Sequence, residues 1–482
     1  MQLIPTIICG GAGARLWPAS QTHRPKPFMK IGEDGRSLLQ QTFLRAASLP
    51  DVTEILTVTG LDLLSATRDE FHHVNNSGLR TQFILEPFGR NTAAAVAIAA
   101  LQCVHVHGED SVMLVLPADH LIGSQQAFYG AVKAACAAAR KGLMVAFGID
   151  PVSAHTGYGY IEVDRGKPVE KPDANWLGVR RFVEKPSQER AEAFLQSRDY
   201  FWNSGMYCFK PGVLLKELRQ HCPKIAETTS HCFSTSIAKA NAAADCLELD
   251  QQSFSVVPNE SIDFAVMEKT KNIAAVHGRF AWSDIGSWSA IAAVALKDGD
   301  GNSGGKNSVF YNSSNCFVYG SERKIGIVGL DGIVIVDVPD GLLVTHRDRT
   351  QDVKHVHTTR ETAQPKSNGS GKTGPNAQEK SKIMGAANDF HVKRLTIETG
   401  KCISRQDWGW PIGPWIVAAG HARIIRRSGK TTDRTSGEAY HCGSFDQEIV
   451  NTGHDVLTLF EVEPNPIGSE PESRPSGKRS SP

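Results

Sequence analysis

Short apolar runs punctuate the first third of the chain: "IPTIICG", "EILTVTG", "TQFILEP" and "SVMLVLP". Each is rich in β-branched residues and is stopped by Gly or Pro, the pattern of a strand buried on both faces. Around them, "SLLQQTFLRAASL", "NTAAAVAIAALQCVHV" and "AFYGAVKAACAAARKG" predict helices. Strands alternating with helices predict an α/β fold whose mixed, mostly parallel sheet is covered on both sides. In such sheets ligands bind beyond the carboxyl ends of the strands. The stretches "GGAG", "EPFGRNT" and "LPADH" each follow a predicted strand, so three candidate ligand loops should share one edge.

The pattern changes near residue 298. "SVFYNSSNCFVYGSERKIGIVGLDGIVIVDVPDGLLVTHR" is a series of short strands separated by Gly, Asn and Asp. It predicts a small, helically stacked β unit over 298–360, after a first domain of 1–297. The polar stretch "ETAQPKSNGSGKTGPNAQEKSK" has almost no large apolar residue and predicts a flexible linker over 361–387. Alternation returns over 388–464, as in "HVKRLTIETG" and "DVLTLFEVEP", and predicts a β-barrel. The tail 465–482, rich in Ser, Pro and charge, predicts disorder.

Composition narrows the function classes. The 52 Lys+Arg and 51 Asp+Glu leave a net charge of +1, so no global field favours nucleic acid or an anionic membrane. Any anion site must be built locally. The 10 cysteines form no C-x-x-C pair, which predicts reduced thiols and a cytoplasmic setting. No apolar run reaches the roughly 20 residues of a membrane helix, and "LIPTIIC" lacks the basic flank of a secretory signal.

The glycine loop fits neither common phosphate-binding pattern. A dinucleotide fingerprint counted from Gly11 would need Gly where Leu16 stands, and a P-loop would need Lys-Ser or Lys-Thr after Gly13. The loop still offers bare backbone amides, and Arg15 and Lys26 add fixed cations, so it can cradle a triphosphate by other means.

The string "GGAGARLWPASQTHRPKPF" resembles the signature of the mannose-1-phosphate guanylyltransferases, a branch of the sugar-nucleotide pyrophosphorylases. "EPFGRNTAAAVAIAA", "LPADH", "TGYGYIE", "FVEKPS", "FWNSGMYCF", "SIDFAVMEKT" and "WSDIGSWSA" follow in that family's order, to about Leu296. The resemblance implies a Rossmann-like nucleotidyltransferase domain. The implied reaction joins GTP and mannose 1-phosphate into GDP-mannose and pyrophosphate, with Mg²⁺ as cofactor. Two departures from the family pattern are Gln21, where Arg is usual, and Ala94, where Pro is usual.

Motif by motif, the resemblance assigns roles. Arg15, Lys26 and Lys185 are the catalytic cations, with Lys185 suited to the sugar phosphate. Gly10, Gly11 and Gly13 lie under the triphosphate, while Glu86, Gly89, Arg90 and Asn91 resemble the base-recognition loop. Guanine presents N1–H and a 2-amino group, so a carboxylate there is a sensible partner; Asn91 could equally serve as a helix cap. Gly157, Glu184, Asn203 and Asp263 are expected at the sugar, with Asp263 alternatively starting a helix. Asp119 and Asp284 are expected to hold the Mg²⁺, a hard cation suited to carboxylate and phosphate oxygens.

In many family members a cupin barrel that isomerises mannose 6-phosphate and fructose 6-phosphate follows the transferase, and the region from about Asn388 resembles it. The family's metal motif there is typically Gln-Met-His-His-His-Arg-Ala-Glu-His-Trp. From Gln406 to Trp415 this chain reads Gln-Asp-Trp-Gly-Trp-Pro-Ile-Gly-Pro-Trp. The expected ligands fall on Trp408, Trp410 and Gly413, and a further one on Gln447. Trp and Gly cannot ligate a divalent metal, so the isomerase is expected to be lost and the barrel to be a structural or homodimer-supporting appendage. Two other readings stay open: a bifunctional enzyme that keeps the isomerase, and a silent nucleotide-sugar-binding regulator. The intact Arg15, Lys26, Asp119, Lys185 and Asp284 speak against the regulator.

Overall fold

The computed structural model describes residues 2–10, 13–21, 24–32, 34–168, 175–239, 245–320, 322–356, 380–386, 390–404, 415–426, 431–440, 447–453 and 455–464. Two compact units divide the chain, Met1–Pro365 and Lys366–Pro482.

The first unit is organised by a mixed sheet of ten strands. They are β1 (Leu3–Cys9), β2 (Glu54–Gly60), β3 (Arg80–Glu86), β4 (Val112–Pro117), β6 (Met144–Ile149), β7 (Tyr160–Pro168), β8 (Leu177–Val183), β9 (Tyr200–Phe209), β10 (Cys246–Glu248) and β11 (Ile273–His277). Their order is β10-β3-β2-β1-β4-β9-β6-β11-β8-β7. From β10 to β4 all pairings are parallel, as the apolar runs predict. β9 then lies antiparallel between β4 and β6, and β7 and β8 extend the sheet antiparallel. A two-stranded ribbon, β5 (Leu121–Ile122) with β12 (Trp282–Ser283), stands apart from this sheet.

Alternate side chains of each strand serve different cores. Ile4, Leu56, Ile84 and Met113 pack under α3 (Asn91–His107). Leu3, Ile7, Ile55 and Leu114 pack against α1 (Leu38–Ala47), α2 (Leu64–His72) and α4 (Gln125–Arg140). Ala93 to Ala100 of α3 are all buried, because alanine lets the helix approach the sheet closely. Ala94 sits in this run, fully enclosed.

The small β unit stacks as its spacing suggested. Ser308–Tyr311 runs parallel to Ile325–Val328, and Phe317–Tyr319 parallel to Ile333–Val338. In both pairs the partners are 17 positions apart, Ser308 with Ile325 and Phe317 with Val334. Gly341–His346 closes the stack antiparallel to Ile333–Val338.

The second unit is built of two antiparallel sheets. One joins Lys380–Ala386, Phe390–Ile397, Leu457–Pro464, Trp415–Ala419 and Ala439–Tyr440; the other joins Cys402–Ser404, Gln447–Asn451, His421–Arg426 and Thr431–Thr435. Leu395, Trp415 and Leu459 from the first meet Ile424 and Ile449 from the second in a common core. The linker expected over 361–387 needs correction, since Lys380–Ala386 is a strand paired with Phe390–Ile397. An edge strand gains its stability from backbone hydrogen bonds to its neighbour, so polar composition alone hides it. Trp408, Trp410 and Gly413, the positions expected to have lost metal ligands, lie outside the described residues, as does the side chain of Gln447.

Candidate active site

One cleft of about 580 Å³ opens where the loops after β1, β3 and β4 meet. Gly10, Glu86, Gly89, Asn91, Asp119, Gly157, Glu184, Asn203, Asp263 and Asp284 all line it. The three loops expected at one sheet edge are therefore together. Arg15, Gly13, Lys26, Arg90 and Lys185 lie outside the cleft lining, and Gly11 lies outside the described residues.

The ribbon of β5 and β12 explains how Asp119 and Asp284 come together from 165 positions apart in sequence. Trp282 pairs with Ile122 and Ser283 with Leu121, so "LPADH" and "WSDIG" are tied side by side. The buried Lys26 bridges the two loops: its Nζ donates to Asp119 Oδ2 at 2.7 Å and to the main-chain carbonyl of Asp284. Tyr158 donates its hydroxyl hydrogen to Asp284 Oδ1 at 2.7 Å, and the Gly286 amide donates to the same oxygen. Burial alone would raise the Asp119 pKa, but the charge of Lys26 and its hydrogen bond hold it below the usual carboxylate range. Two acidic loops converging on one cation form an oxygen-rich setting suited to a hard divalent ion.

Local backbone geometry serves the same end. Gly13 has φ +56°, and a Cβ there would stand 2.6 Å from Ser20 Oγ and 2.9 Å from Lys26 Cβ. Only glycine lets the limb fold onto Lys26. Ile285, directly after Asp284, holds φ +48°, a costly conformation for a β-branched residue, and its side chain is fully buried.

At the last residue of β3, burial pushes the Glu86 carboxyl up to about 7. Its Oε1 is buried without a hydrogen-bond partner among the described residues. Asn91 lines the cleft as the first residue of α3, with φ +64° and its Oδ1 accepting the Thr92 amide; the cap position is Arg90, so the helix-cap alternative for Asn91 does not hold. Arg90 turns away instead: its guanidinium donates to the Ser255 carbonyl and lies 5.0 Å from the Phe88 ring centre.

Also in the cleft, Asn203 Nδ2 donates to Asp263 Oδ1 at 3.0 Å and to the Tyr207 hydroxyl oxygen at 2.7 Å, while Tyr207 donates to Asp263. Asp263 opens a single π-helical turn, Asp263–Met267, so it both starts a helix and faces the cleft. Burial, followed by the Asp263 charge, raises the Glu184 pKa. Lys185 Nζ pairs with Glu184 Oε1 at 2.9 Å.

Motif reading passed over several cleft residues. His120, Tyr158, Tyr207 and Trp282 line it too. Each stands inside a quoted motif, and strand alternation placed Tyr207 on the same face as Asn203 and Gly205. Burial pushes the His120 pKa down to about 4, so the ring is neutral at pH 7, and its Nδ1 accepts from Trp282 Nε1 at 3.3 Å.

Residues 4–301 match the family described as nucleotidyl transferase. The chain belongs to the nucleotidyl transferase family. Residues 306–358 of this transferase match the MannoseP isomerase/GMP-like beta-helix domain, in keeping with the parallel stack seen there. It is 38% identical over 466 residues to alginate biosynthesis protein AlgA of Pseudomonas aeruginosa, covering 96% of this chain and 93% of that protein. It is 36% identical over 462 residues to a mannose-1-phosphate guanylyltransferase of Klebsiella pneumoniae, covering 96% of each. Among solved structures it resembles one described as a mannose-1-phosphate geranyltransferase from Thermus thermophilus, with TM-score 0.64 and 31% identity over 75% of this chain and all of that one. This nucleotidyltransferase therefore sits with the mannose-1-phosphate guanylyltransferases, the family its motifs resemble.

Proposed function

We infer that the protein transfers GMP from GTP to α-D-mannose 1-phosphate, giving GDP-mannose and pyrophosphate. The observation that carries this reading is the meeting of Lys26 with Asp119 and the Asp284 loop beside a cleft that also takes in Glu86, whose Oε1 is buried without a partner among the described residues. Full-length relatives named mannose-1-phosphate guanylyltransferase support it.

In this reading an oxygen of the sugar phosphate attacks the α-phosphorus of GTP, and the bond to the pyrophosphate oxygen breaks in line. The substrate brings its own nucleophile, so the protein's work is to align two anions and offset the charge on the leaving group. Lys26 and Arg15 neutralise the triphosphate above the amides of Gly10, Gly11 and Gly13. Glu86 accepts the N1–H and 2-amino hydrogens of guanine beside Gly89. Glu184, Asn203 and Asp263 receive the mannose hydroxyls near Gly157, and Lys185 leaves Glu184 for the sugar phosphate. Arg90, held by Ser255, supports the base loop from behind. Asp119 and Asp284 would hold Mg²⁺, which when bound supplies charge neutralisation to the phosphates.

The isomerase is absent in this reading, because Trp408, Trp410 and Gly413 replace ligands and the barrel keeps only a structural or dimer-supporting role. In this reading the protein works in the cytoplasm, the setting its cysteines without a C-x-x-C pair predict. Incubation with GTP, mannose 1-phosphate and Mg²⁺ should release pyrophosphate. Binding of GDP-mannose with no release under any condition would favour the regulatory reading instead.

A further inference from the structure

The two loops that meet at Lys26 share a third hydrophobic core with the β unit. Leu16 and Met29 from the glycine limb, Ile285 and Trp288 from the Asp284 loop, and Val336 and Leu343 from the β unit all belong to it. Two hydrogen bonds fasten the limb at the edge of this core, one part-buried and one exposed. Trp288 Nε1 donates to the carbonyl of Trp17 at 3.0 Å, and the Tyr319 hydroxyl donates to the carbonyl of Lys30 at 3.1 Å. The two rings pack on each other, with centres 5.0 Å apart. Trp17 and Lys30 flank Lys26 in sequence, so the pair of bonds fastens the limb on both sides of that lysine. The β unit also packs closely on the limb at Gly341, where an added Cβ would stand 3.1 Å from Pro18 Cβ.

We propose that the β unit is a positioning part of the transferase site, with Tyr319 and Trp288 holding the limb so that Lys26 meets Asp119. This rests on the guanylyltransferase reading for its kinetic test. Neither side chain lines the cleft, so both act through the backbone they hold. The same core also holds Ile285 in its strained conformation, which fixes Asp284 on the opposite side of Lys26.

The test uses the full chain with Tyr319→Phe and Trp288→Phe, which keep a packed ring and remove only the donor. Each should lower kcat about tenfold, the effect of losing one positioned hydrogen bond, with KM for mannose 1-phosphate within about twofold. Amide exchange at Ser20 and Met29, both hydrogen-bonded within the limb, should quicken about tenfold in Tyr319→Phe. Ile327→Ala serves as the control, because Ile327 is buried in a separate small core of the β unit with Cys316 and Val318. It should lower the melting temperature and leave kcat within about twofold.

The proposal is overturned if Tyr319→Phe leaves both kcat and limb exchange at wild-type values. It is equally overturned if Ile327→Ala lowers kcat as much as Tyr319→Phe does. A wild-type protein that fails to turn over would sink the guanylyltransferase reading alone, and the exchange measurement would still decide this one.

Discussion

At the scale of single residues, Glu86 offers the sharpest chemical test of base recognition. Burial raises its pKa to about 7, so the carboxylate that accepts the guanine donors forms only as pH rises through that value. GTP affinity should therefore strengthen between pH 6 and pH 8, and Glu86→Gln should weaken binding about tenfold and flatten the profile. Titration of GTP binding at several pH values checks both. The same raised pKa makes Glu86 a group whose stabilising contribution is full below its unfolded pKa and fades as pH approaches 7. Asp119→Asn and Asp284→Asn keep an acceptor for Lys26 and Tyr158 while removing a charge. Turnover should fall by about a hundredfold or more, with a melting temperature near that of the wild type. Near-normal rates in either variant would refute the assignment of those carboxylates.

At the scale of elements, the glycine limb is the part least like a common phosphate loop. Gly13→Ala would force a Cβ into Ser20 and Lys26 at a left-handed φ. It should cost about 1–3 kcal/mol of stability and displace Lys26, seen as a lower unfolding midpoint and a reduced kcat. The apolar runs made the parallel half of the sheet legible, because strands buried on both faces leave a continuous signature. The insertion of β9 between β4 and β6 left no such mark; pairing order is set by long-range packing rather than by any local run. The ribbon of β5 and β12 was equally hidden, since two-residue strands have no periodicity to read. Asp119 and Asp284 were legible by motif, while their meeting across that ribbon was not. The turning of Arg90 toward Ser255 was likewise beyond the sequence, where Arg90 reads as part of the base-recognition loop.

At the scale of the whole molecule, the chain combines a nucleotidyl transferase region, a β-helix region and a separate β unit. Turnover is expected from the first of these alone, since Trp408, Trp410 and Gly413 stand where the resemblance implies metal ligands. Mannose 6-phosphate incubated with added Zn²⁺ or Co²⁺ should yield no fructose 6-phosphate above background; steady production would restore the bifunctional reading. Pyrophosphate release, measured with GTP, ATP, UTP and dTTP against mannose 1-phosphate in the presence of Mg²⁺, decides whether the protein is a guanylyltransferase. Release with GTP should run well above that with the other three and be lost in Asp119→Asn. Equal rates with all four nucleotides, or none with GTP, would contradict the guanylyltransferase reading.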